Sequence, residues 1–302
     1  MSLITLFSAP KPFTNPHIAM IQRNAIKSWT LLSDVDVILL GEEEGLAEAA
    51  RELGVKHIPH VERNANGVPL ISSMFQLARE NSSSDLLCII NADMILMPDF
   101  VENAKQAVKL KDKFVLLSQR WDYNITSPLD FAEGWHSRLR EDVRKQNQLH
   151  RPAGSDFFLF PKPCYADIPN FVIGRAGWDN WMIYKARKEN WAVIDCTPSV
   201  MIVHQNHDYS HLPGAKPHYD HPETNENIRL AGGQANIRYT ILDATHQLVG
   251  DTLVLPKMTS ARFTRKVELV LRALFFFLPV NVIENIARPK RWKKRIMKLF
   301  RK

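Results

Sequence analysis

The first third of the chain alternates short apolar runs with segments of helical periodicity, and this alternation constrains the fold more than any other feature. The predicted strands are residues 3–7, 36–40, 56–59 and 86–90. The predicted helices between them are residues 17–31, 44–53 and 70–79. Strands that are apolar throughout are typical of a parallel sheet covered by helices on both faces. The sequence therefore predicts an α/β fold with a mostly parallel sheet.

The middle third continues this pattern less regularly. Further strands are predicted at residues 114–119, 157–161, 192–195 and 200–203, and helices at 129–147 and 180–188. Neither a P-loop nor a Gly-x-Gly-x-x-Gly turn is present, which excludes the two commonest phosphate-binding loops. Because ligands of such sheets bind beyond the carboxyl ends of the strands, polar residues that follow a strand are the first functional candidates.

The apolar run 86–90 is followed directly by Asn91-Ala92-Asp93. A carboxylate at the end of a buried strand, beside an amide, can coordinate a divalent cation and place it at the mouth of the sheet. Asn and Asp are also favoured in turns, so a purely structural turn is the alternative.

A second candidate is Asp179, which lies between Trp178 and Trp181 at the start of a predicted helix. Partial desolvation would raise the pKa of this carboxyl group and suit it to act as a general base toward a hydroxyl. The alternative is that Asp179 caps the helix, because a capping hydrogen bond would lower the pKa and oppose proton uptake.

Histidines are concentrated after the predicted strand 200–203. Five of the eleven lie within 18 residues, and neutral imidazole is a common ligand of transition metals. They are His204, His207, His211, His218 and His221. The spacing is not that of a zinc finger and no cysteine accompanies it. His204, nearest to the strand end, is the preferred metal ligand.

Weaker candidates accompany these three. Asp156, in Gly154-Ser155-Asp156, precedes an aromatic strand, although a turn accounts for it equally well. Glu42, Glu43 and Glu44 follow the second strand, where acidic residues also favour a helix start.

Taken in order, the three main motifs resemble those of the GT-A glycosyltransferases. Asn91-Ala92-Asp93 resembles their DxD metal motif with Asn in its first position. Gly177-Trp178-Asp179-Asn180 is similar to the motif that carries the base of inverting, family 2-like members. Met201-Ile202-Val203-His204 resembles the Met-x-x-His metal pair of the beta-1,4-galactosyltransferase group. The resemblance extends over roughly residues 1–230, with specific matches in these motifs only.

The resemblance implies a GT-A, Rossmann-like fold and a role for each matching residue. The implied metal ligands are Asp93, Met201 and His204, and the implied base is Asp179 with Asp156 as its substitute. The implied donor-binding residues are Ser8, Ala9, Pro10, Glu42, Glu43, Asn91 and Ala92. The implied acceptor-binding residues are Trp178, Asn180 and Trp181.

The implied reaction is metal-dependent, inverting sugar transfer from a nucleoside diphosphate sugar, with uridine as the expected base, to a hydroxyl of a glycan or glycolipid. Mn²⁺ or Mg²⁺ would bridge the diphosphate. Surface polysaccharide or glycolipid synthesis is the expected setting. Three alternatives remain open: a sugar nucleotidyltransferase, a His-rich metallohydrolase and a non-catalytic lipid-binding scaffold.

Positive charge is concentrated at the C-terminal end. The chain carries a net charge of +7, yet residues 261–302 contain 13 Lys and Arg against 2 Asp and Glu, so the remainder is slightly acidic. This distribution argues against a nucleic-acid partner and favours an anionic membrane surface. Trp292, Ile296, Leu299 and Phe300 recur at helical spacing among basic residues, as in an amphipathic interfacial helix. We therefore expect a GT-A domain over residues 1–256 and a basic helical tail over 257–302.

The location of the protein is predicted from its cysteines and its N-terminal residues. Three scattered cysteines do not form a disulfide framework, and the N-terminal residues lack the basic region of a signal peptide. A cytoplasmic protein, attached peripherally to the cytoplasmic face of the membrane, is expected.

Overall fold

The computed structural model of the protein describes residues 2–207 and 221–288. Of these described residues, those up to Leu255 belong to one compact unit and those from Pro256 to Arg288 to a second. The strands are β1 (Ile4–Ser8), β2 (Val35–Leu40), β3 (Lys56–Ile58), β4 (Leu86–Ile90), β5 (Met94–Ile95), β6 (Phe114–Leu117), β7 (Trp121–Tyr123), β8 (Phe157–Pro161), β9 (Ala192–Asp195), β10 (Val203–Gln205), β11 (His246–Val249) and β12 (Thr252–Val254). The helices are α1 (Pro16–Thr30), α2 (Leu46–Leu53), α3 (Ile71–Asn81), α4 (Asp99–Leu110), α5 (Trp135–Gln146), α6 (Trp178–Lys188), α7 (Pro222–Leu230), α8 (Ser260–Leu274) and α9 (Val280–Ala287).

Nine of the strands form one sheet in the order β12-β11-β9-β6-β8-β4-β1-β2-β3. Strands β1, β2, β3 and β4 pair in parallel, as do β6, β9 and β11. Strand β8 joins these two groups by pairing antiparallel with both β4 and β6. The predicted α/β fold with a mostly parallel sheet flanked by helices is thus confirmed.

Alternation along the strands divides the core between the two faces of this sheet. Leu86, Cys88 and Ile90 of β4 pack in one apolar cluster, whereas Leu87 and Ile89 pack in the other. Both faces are buried because helices cover each of them, so each strand reads as a continuous apolar run. This is the feature that made β4 recognisable in the sequence.

A second sheet of three short strands, in the order β5-β10-β7, lies next to the end of β4. β10 pairs antiparallel with β5 and parallel with β7. Trp29 anchors β5, since its indole Nε1 donates to the carbonyl of Met94 at 2.8 Å. This sheet was not predicted, because strands of two or three residues leave no periodic pattern.

Several predicted boundaries were wrong. The strand predicted at 200–203 lies at Val203–Gln205 instead, and the helical stretch predicted over 129–147 begins only at Trp135. Helix α6 begins at Trp178, with Gly177 at its N-cap, so Asp179 lies inside the first turn and is not the cap. Gly177 has a φ of 114°, a conformation that glycine adopts readily.

The second unit contains α8 and α9, joined by a short turn. Thr259 caps α8 by accepting a hydrogen bond from the backbone of Arg262. Among the residues that the structure describes, no helix combines the length and apolar character needed to cross a bilayer. The predicted amphipathic segment around Trp292 lies outside the described residues.

Helix α7 secures the loop that leads into α6. The buried Asn227 side chain accepts from the backbone N–H of Val172 at 2.9 Å and donates to the carbonyl of the same residue at 3.1 Å. The same amide lies 3.4 Å from the carbonyl of Ala176. Asn227 therefore fixes the backbone just before Asp179.

We expect Asn227→Ala to lower the free energy of unfolding by about 2–4 kcal/mol, because a buried donor and a buried acceptor lose their partners. Thermal and denaturant unfolding measure this loss. Glu226→Ala on the same helix is the matched control, because the exposed Arg229 is the partner of Glu226 among the described residues. Equal stability of the two variants would contradict the role of Asn227.

Candidate active site

The three-stranded sheet brings three site residues side by side. In its register, His204 on β10 lies opposite Met94 on β5 and opposite Asp122 on β7. Asp93 immediately precedes β5, and its carbonyl accepts from the backbone N–H of Gln205 at 3.2 Å. Strand pairing, rather than flexible side chains, therefore sets the separation of Asp93, His204 and Asp122.

Asp93, His204 and His207 form a group of three metal-ligating side chains. One ligand atom from each lies within 4.8 Å of the others. Asp93 Oδ2 lies 3.0 Å from His207 Nε2 and 4.0 Å from His204 Nε2. Ligand atoms of one transition-metal ion, each bound at about 2.0–2.2 Å, stand roughly 3 Å apart. A small contraction of the group would therefore complete a coordination site.

The Asp93 carboxylate is buried but keeps an unused oxygen. Its side chain is about one-tenth exposed, and Oδ1 has no hydrogen-bond partner among the described residues. Burial alone would raise the pKa of Asp93, but a hydrogen bond from His207 and the nearby His204 and Lys11 hold it well below its usual range. A buried, ionised carboxylate with a free oxygen fits a cation ligand.

Asp122 lies next to His204, near the ring nitrogen that does not face Asp93. Its Oδ1 lies 3.3 Å from Nδ1 of His204, so the other ring nitrogen of His204 faces Asp93. Burial alone would lower the pKa of His204, but the nearby carboxylates of Asp122 and Asp93 raise it overall. A carboxylate behind an imidazole fixes the orientation of the ring and strengthens it as a metal ligand.

Arg120 and His150 hold Asp122 in turn. Arg120 Nε donates to Asp122 Oδ1 at 2.9 Å, and His150 Nδ1 lies 2.7 Å from Asp122 Oδ2. These contacts lower the pKa of Asp122 well below its usual range, against the effect of burial. Asp122 is therefore a fixed negative charge, anchored on both oxygens.

Lys11 adds a cation to the group. Its Nζ lies 3.1 Å from His207 Nε2 and 3.8 Å from Asp93 Oδ2. Burial lowers the pKa of Lys11, although the charge of Asp93 opposes this. The side-chain amide of Gln22 fixes the backbone of Lys11. It accepts from the N–H of Lys11 at 2.7 Å and donates to the carbonyl of Lys11 at 2.9 Å.

Asp179 has the electrostatic character of a general base. Desolvation and the negative charge of Asp156 together raise its pKa to about 6, against opposing backbone hydrogen bonds. A carboxyl group of this kind is largely ionised near neutral pH yet binds a proton more readily than an ordinary aspartate. The structure thus favours the desolvated alternative for Asp179 over the capping one.

Asp156 is committed to an ion pair. Both of its carboxylate oxygens lie 2.8 Å from Nη1 of Arg120, and Oδ1 also accepts from Asn91 Nδ2 at 2.9 Å. The predicted role of Asp156 as a substitute base does not agree with this arrangement, because both oxygens are already engaged by a guanidinium. Asp156 instead links Asn91 to Arg120.

The resemblance implied that Met201 is a metal ligand, but the structure does not bring Met201 to the metal group. Met201 is 5% exposed and packs in an apolar cluster with Val203, Trp135 and Leu139. Alternation along β10 turns Val203 away from the side that His204 occupies. His207, three residues beyond His204, stands in the place that the sequence analysis gave to Met201.

The two tryptophans assigned to the acceptor lie in the core. Trp178 is 8% and Trp181 6% exposed, and they pack against Phe158 and Phe171. Their indole faces are therefore occupied by the protein. Asn180 donates its side-chain N–H to the carbonyl of Tyr239 at 2.7 Å, which fixes α6.

The residues assigned to the donor lie around the ends of β1, β2 and β4. Ser8 uses its hydroxyl within the sheet, donating to the carbonyl of Ile90 at 2.6 Å. Glu43 pairs with Arg63 at 2.9 Å and keeps Oε2 without a partner among the described residues. Glu42 is exposed. The other members of this set, which are Ala9, Pro10, Asn91 and Ala92, are buried or partly buried.

The sequence analysis missed several residues of this site. Lys11, Arg120 and Asp122 were not singled out, because isolated charged residues in loops and three-residue strands give no motif. His207 was within the histidine cluster, and its spacing from His204 was the only available signal. His211 and His218 lie outside the described residues.

No protein-family model matches the chain, and no curated protein matches it. Solved structures do resemble its backbone. S. aureus TarS 1-349 in complex with UDP-GlcNAc has a TM-score of 0.49 at 12% identity, covering 92% of this chain and 73% of that one. M. tuberculosis glucosyl-3-phosphoglycerate synthase in complex with phosphoglyceric acid has a TM-score of 0.48 at 12% identity, covering 77% and 81%.

A third similar structure is the mannosyltransferase PcManGT from Pyrobaculum calidifontis in complex with GDP-Man and Mn²⁺. Its TM-score is 0.45 at 14% identity, over 69% of this chain. The chain spans only 58% of the length of that protein. At such identities the similarity concerns the course of the backbone, not the side chains of the site.

We expect Asp93→Ala, His204→Ala and His207→Ala each to weaken Mn²⁺ binding at least tenfold, because each removes one ligand atom. Asp122→Asn should weaken binding by about 10–100-fold, as changes behind a ligating imidazole typically do. Titration calorimetry or the loss of the free Mn²⁺ paramagnetic resonance signal measures these affinities.

Two control variants complete this test. Met201→Leu conserves volume in an apolar cluster, so its Mn²⁺ affinity should equal that of the unmodified chain. His57→Gln changes a histidine whose ring is bonded to the carbonyl of Gly41, away from the metal group, and should also have no effect. A large loss of Mn²⁺ affinity in Met201→Leu would indicate that Met201 is a metal ligand after all.

Proposed function

We propose that the protein is a metal-dependent glycosyltransferase of the GT-A type that inverts the anomeric carbon. One observation supports this most directly: a carboxylate and two imidazoles converge beyond the end of β4. A further aspartate, Asp179, has a pKa raised by burial and is coupled to this region through the charge of Asp156, which bonds to Asn91. A cation site and a base at the carboxyl edge of a mostly parallel sheet are what transfer from a nucleoside diphosphate sugar requires.

The ligand set favours Mn²⁺ over Mg²⁺. Imidazole nitrogen is a good ligand for transition metals, whereas Mg²⁺ prefers oxygen ligands and retains its waters. Asp93, His204 and His207 would hold the ion. When bound, Mn²⁺ supplies positive charge that stabilises the departing diphosphate. Lys11 is placed to supply a second positive charge to the same phosphates.

The chemical step would use Asp179. Its carboxylate accepts the proton of the acceptor hydroxyl as the acceptor oxygen bonds to the anomeric carbon. The bond from that carbon to the diphosphate oxygen breaks, and the nucleoside diphosphate leaves with the electron pair. Because attack and departure occur on opposite faces of the sugar, the configuration inverts.

The donor and the acceptor are proposed from the sequence resemblance. A uridine diphosphate sugar is the donor to test first, with Glu42 and Glu43 near the nucleoside and Asn91 near the metal. A glycan or glycolipid hydroxyl is the acceptor class, in surface polysaccharide or glycolipid synthesis. Peripheral attachment to an anionic membrane through residues 261–302 would bring the enzyme to a glycolipid.

A metallohydrolase is the second candidate function, and the metal group itself favours it. Three protein ligands with a free coordination position also describe a hydrolytic metal site, in which a bound water is the nucleophile. Such an enzyme would have no requirement for a nucleotide. Nucleotide binding therefore separates the two functions.

We expect Asp179→Asn to lower the transfer rate by about 10²–10⁴-fold, because an amide cannot accept the proton. Donor binding should be unchanged. Asp167→Asn is the matched control: Asp167 is exposed and pairs with Lys185 at the surface. Sugar transfer, or slow donor hydrolysis if no acceptor is known, measures the rate, and normal turnover by Asp179→Asn would exclude it as the base.

The pH profile gives a further check on Asp179. The active form of a base is the deprotonated one, and the pKa of Asp179 is raised to about 6. The rate at saturating donor should therefore be constant above this pKa and fall about tenfold per pH unit below it. A profile that stays flat down to pH values near an ordinary aspartate pKa would contradict the assignment.

UDP together with Mn²⁺ should raise the melting temperature of the protein more than either alone. Ligand at a hundredfold excess over its dissociation constant adds about 2.7 kcal/mol to the free energy of unfolding. In Asp93→Ala the joint effect should disappear. A shift with Mn²⁺ alone that UDP does not increase would favour the metallohydrolase.

A further inference from the structure

The second unit buries one group of charged side chains and leaves part of its apolar surface exposed. Glu268 on α8 is fully buried and accepts from Arg265, Arg272 and Arg288, the last of which directly follows α9. Arg265 is itself only 3% exposed. One carboxylate thus binds three guanidinium groups and connects α8 to the end of α9.

The opposite arrangement holds for the large apolar side chains of the same unit. Phe263, Val270 and Leu274 of α8 are 61%, 58% and 64% exposed. In the turn after α8, Phe275, Phe276 and Phe277 are 41%, 84% and 69% exposed. A soluble protein seldom exposes several large apolar residues in one place unless they mark an interaction surface.

We propose that the turn Phe275–Phe277, here called the phenylalanine corner, inserts into the interfacial region of an anionic membrane. The corner lies at the end of α8, and Leu274 extends its apolar surface along the helix. Pro279 at the N-cap of α9 ends the turn, and the Glu268 ion pairs hold the two helices together behind it. The two helices that flank the phenylalanine corner are therefore fixed relative to each other.

Charge identifies the membrane as anionic. Residues 261–302 carry 13 Lys and Arg against 2 Asp and Glu, so the segment that includes the corner is strongly positive. Each basic residue near an anionic leaflet contributes about 1 kcal/mol to binding. The same charge disfavours a second copy of this chain as the occupant, because two such segments repel each other.

The proposal places the corner in the interfacial region of the leaflet. Apolar side chains of an interfacial element lie about 5–10 Å deep, at the boundary between headgroups and acyl chains. Aromatic rings are favoured at that depth.

The test compares the full chain with the double variant Phe276→Ser, Phe277→Ser. Sedimentation with vesicles of phosphatidylcholine alone, and of phosphatidylcholine with phosphatidylglycerol, measures binding. We expect the unmodified chain to bind only the anionic vesicles, and less tightly at high salt. The double variant should bind them at least about tenfold more weakly at every salt concentration, since each phenylalanine loses its transfer from water.

The matched control is the double variant Leu31→Ser, Val249→Ser, which removes two exposed apolar residues, 46% and 47% exposed, from the first unit. It should bind vesicles like the unmodified chain. Both double variants should melt at the temperature of the unmodified chain, because all four side chains are exposed. The inference rests on the membrane attachment given in the proposed function, but the comparison needs no transferase activity, so its failure would leave the catalytic proposal untouched.

A fluorescent label reports insertion directly. All three native cysteines are buried, so an environment-sensitive dye should react selectively at Phe276→Cys. Its emission should shift to the blue with anionic vesicles, whereas a dye at Leu31→Cys should not respond.

Undiminished vesicle binding by the double variant Phe276→Ser, Phe277→Ser would overturn the proposal. So would a dimer in solution that this variant dissociates, because the corner would then be an interface between copies.

Discussion

The antiparallel pairing of β5 with β10 is the constraint on which the rest of the site depends. It places the residue before β5, Asp93, beside the imidazole of His204, and it does so through backbone hydrogen bonds. The pairing of β10 with β7 then adds Asp122 on the other side. A metal site built on strand register is already organised before any ion binds, which reduces the conformational entropy that binding must overcome.

The charges around this register form a connected series from the metal group to Asp179. Asp122 contacts both His204 and Arg120, and Arg120 contacts Asp156. Burial raises the pKa of Asp179, and the negative charge of Asp156 contributes to this rise. A single guanidinium thus fixes both the carboxylate next to His204 and the carboxylate whose charge acts on Asp179.

The sequence predicted the parts of this arrangement that depend on periodicity or on a strand end. The apolar run of β4 located Asp93, and the density of histidines located His204. The ion pairs could not be predicted, because Arg120 and Asp122 are distant in sequence from Asp93 and reach it only through the register of short strands. The motif around Met201 gave only spacing along the chain. It could not show that Met201 precedes β10 and packs in an apolar cluster.

The position of Lys11 has a consequence for how the site would change on loading. Its ammonium lies 3.1 Å from His207 Nε2 and 3.8 Å from Asp93 Oδ2, while Gln22 fixes its backbone through both the N–H and the carbonyl. A divalent ion bound to Asp93 would repel this ammonium. Because the four-carbon stem is flexible, the ammonium would move and the backbone would stay in place.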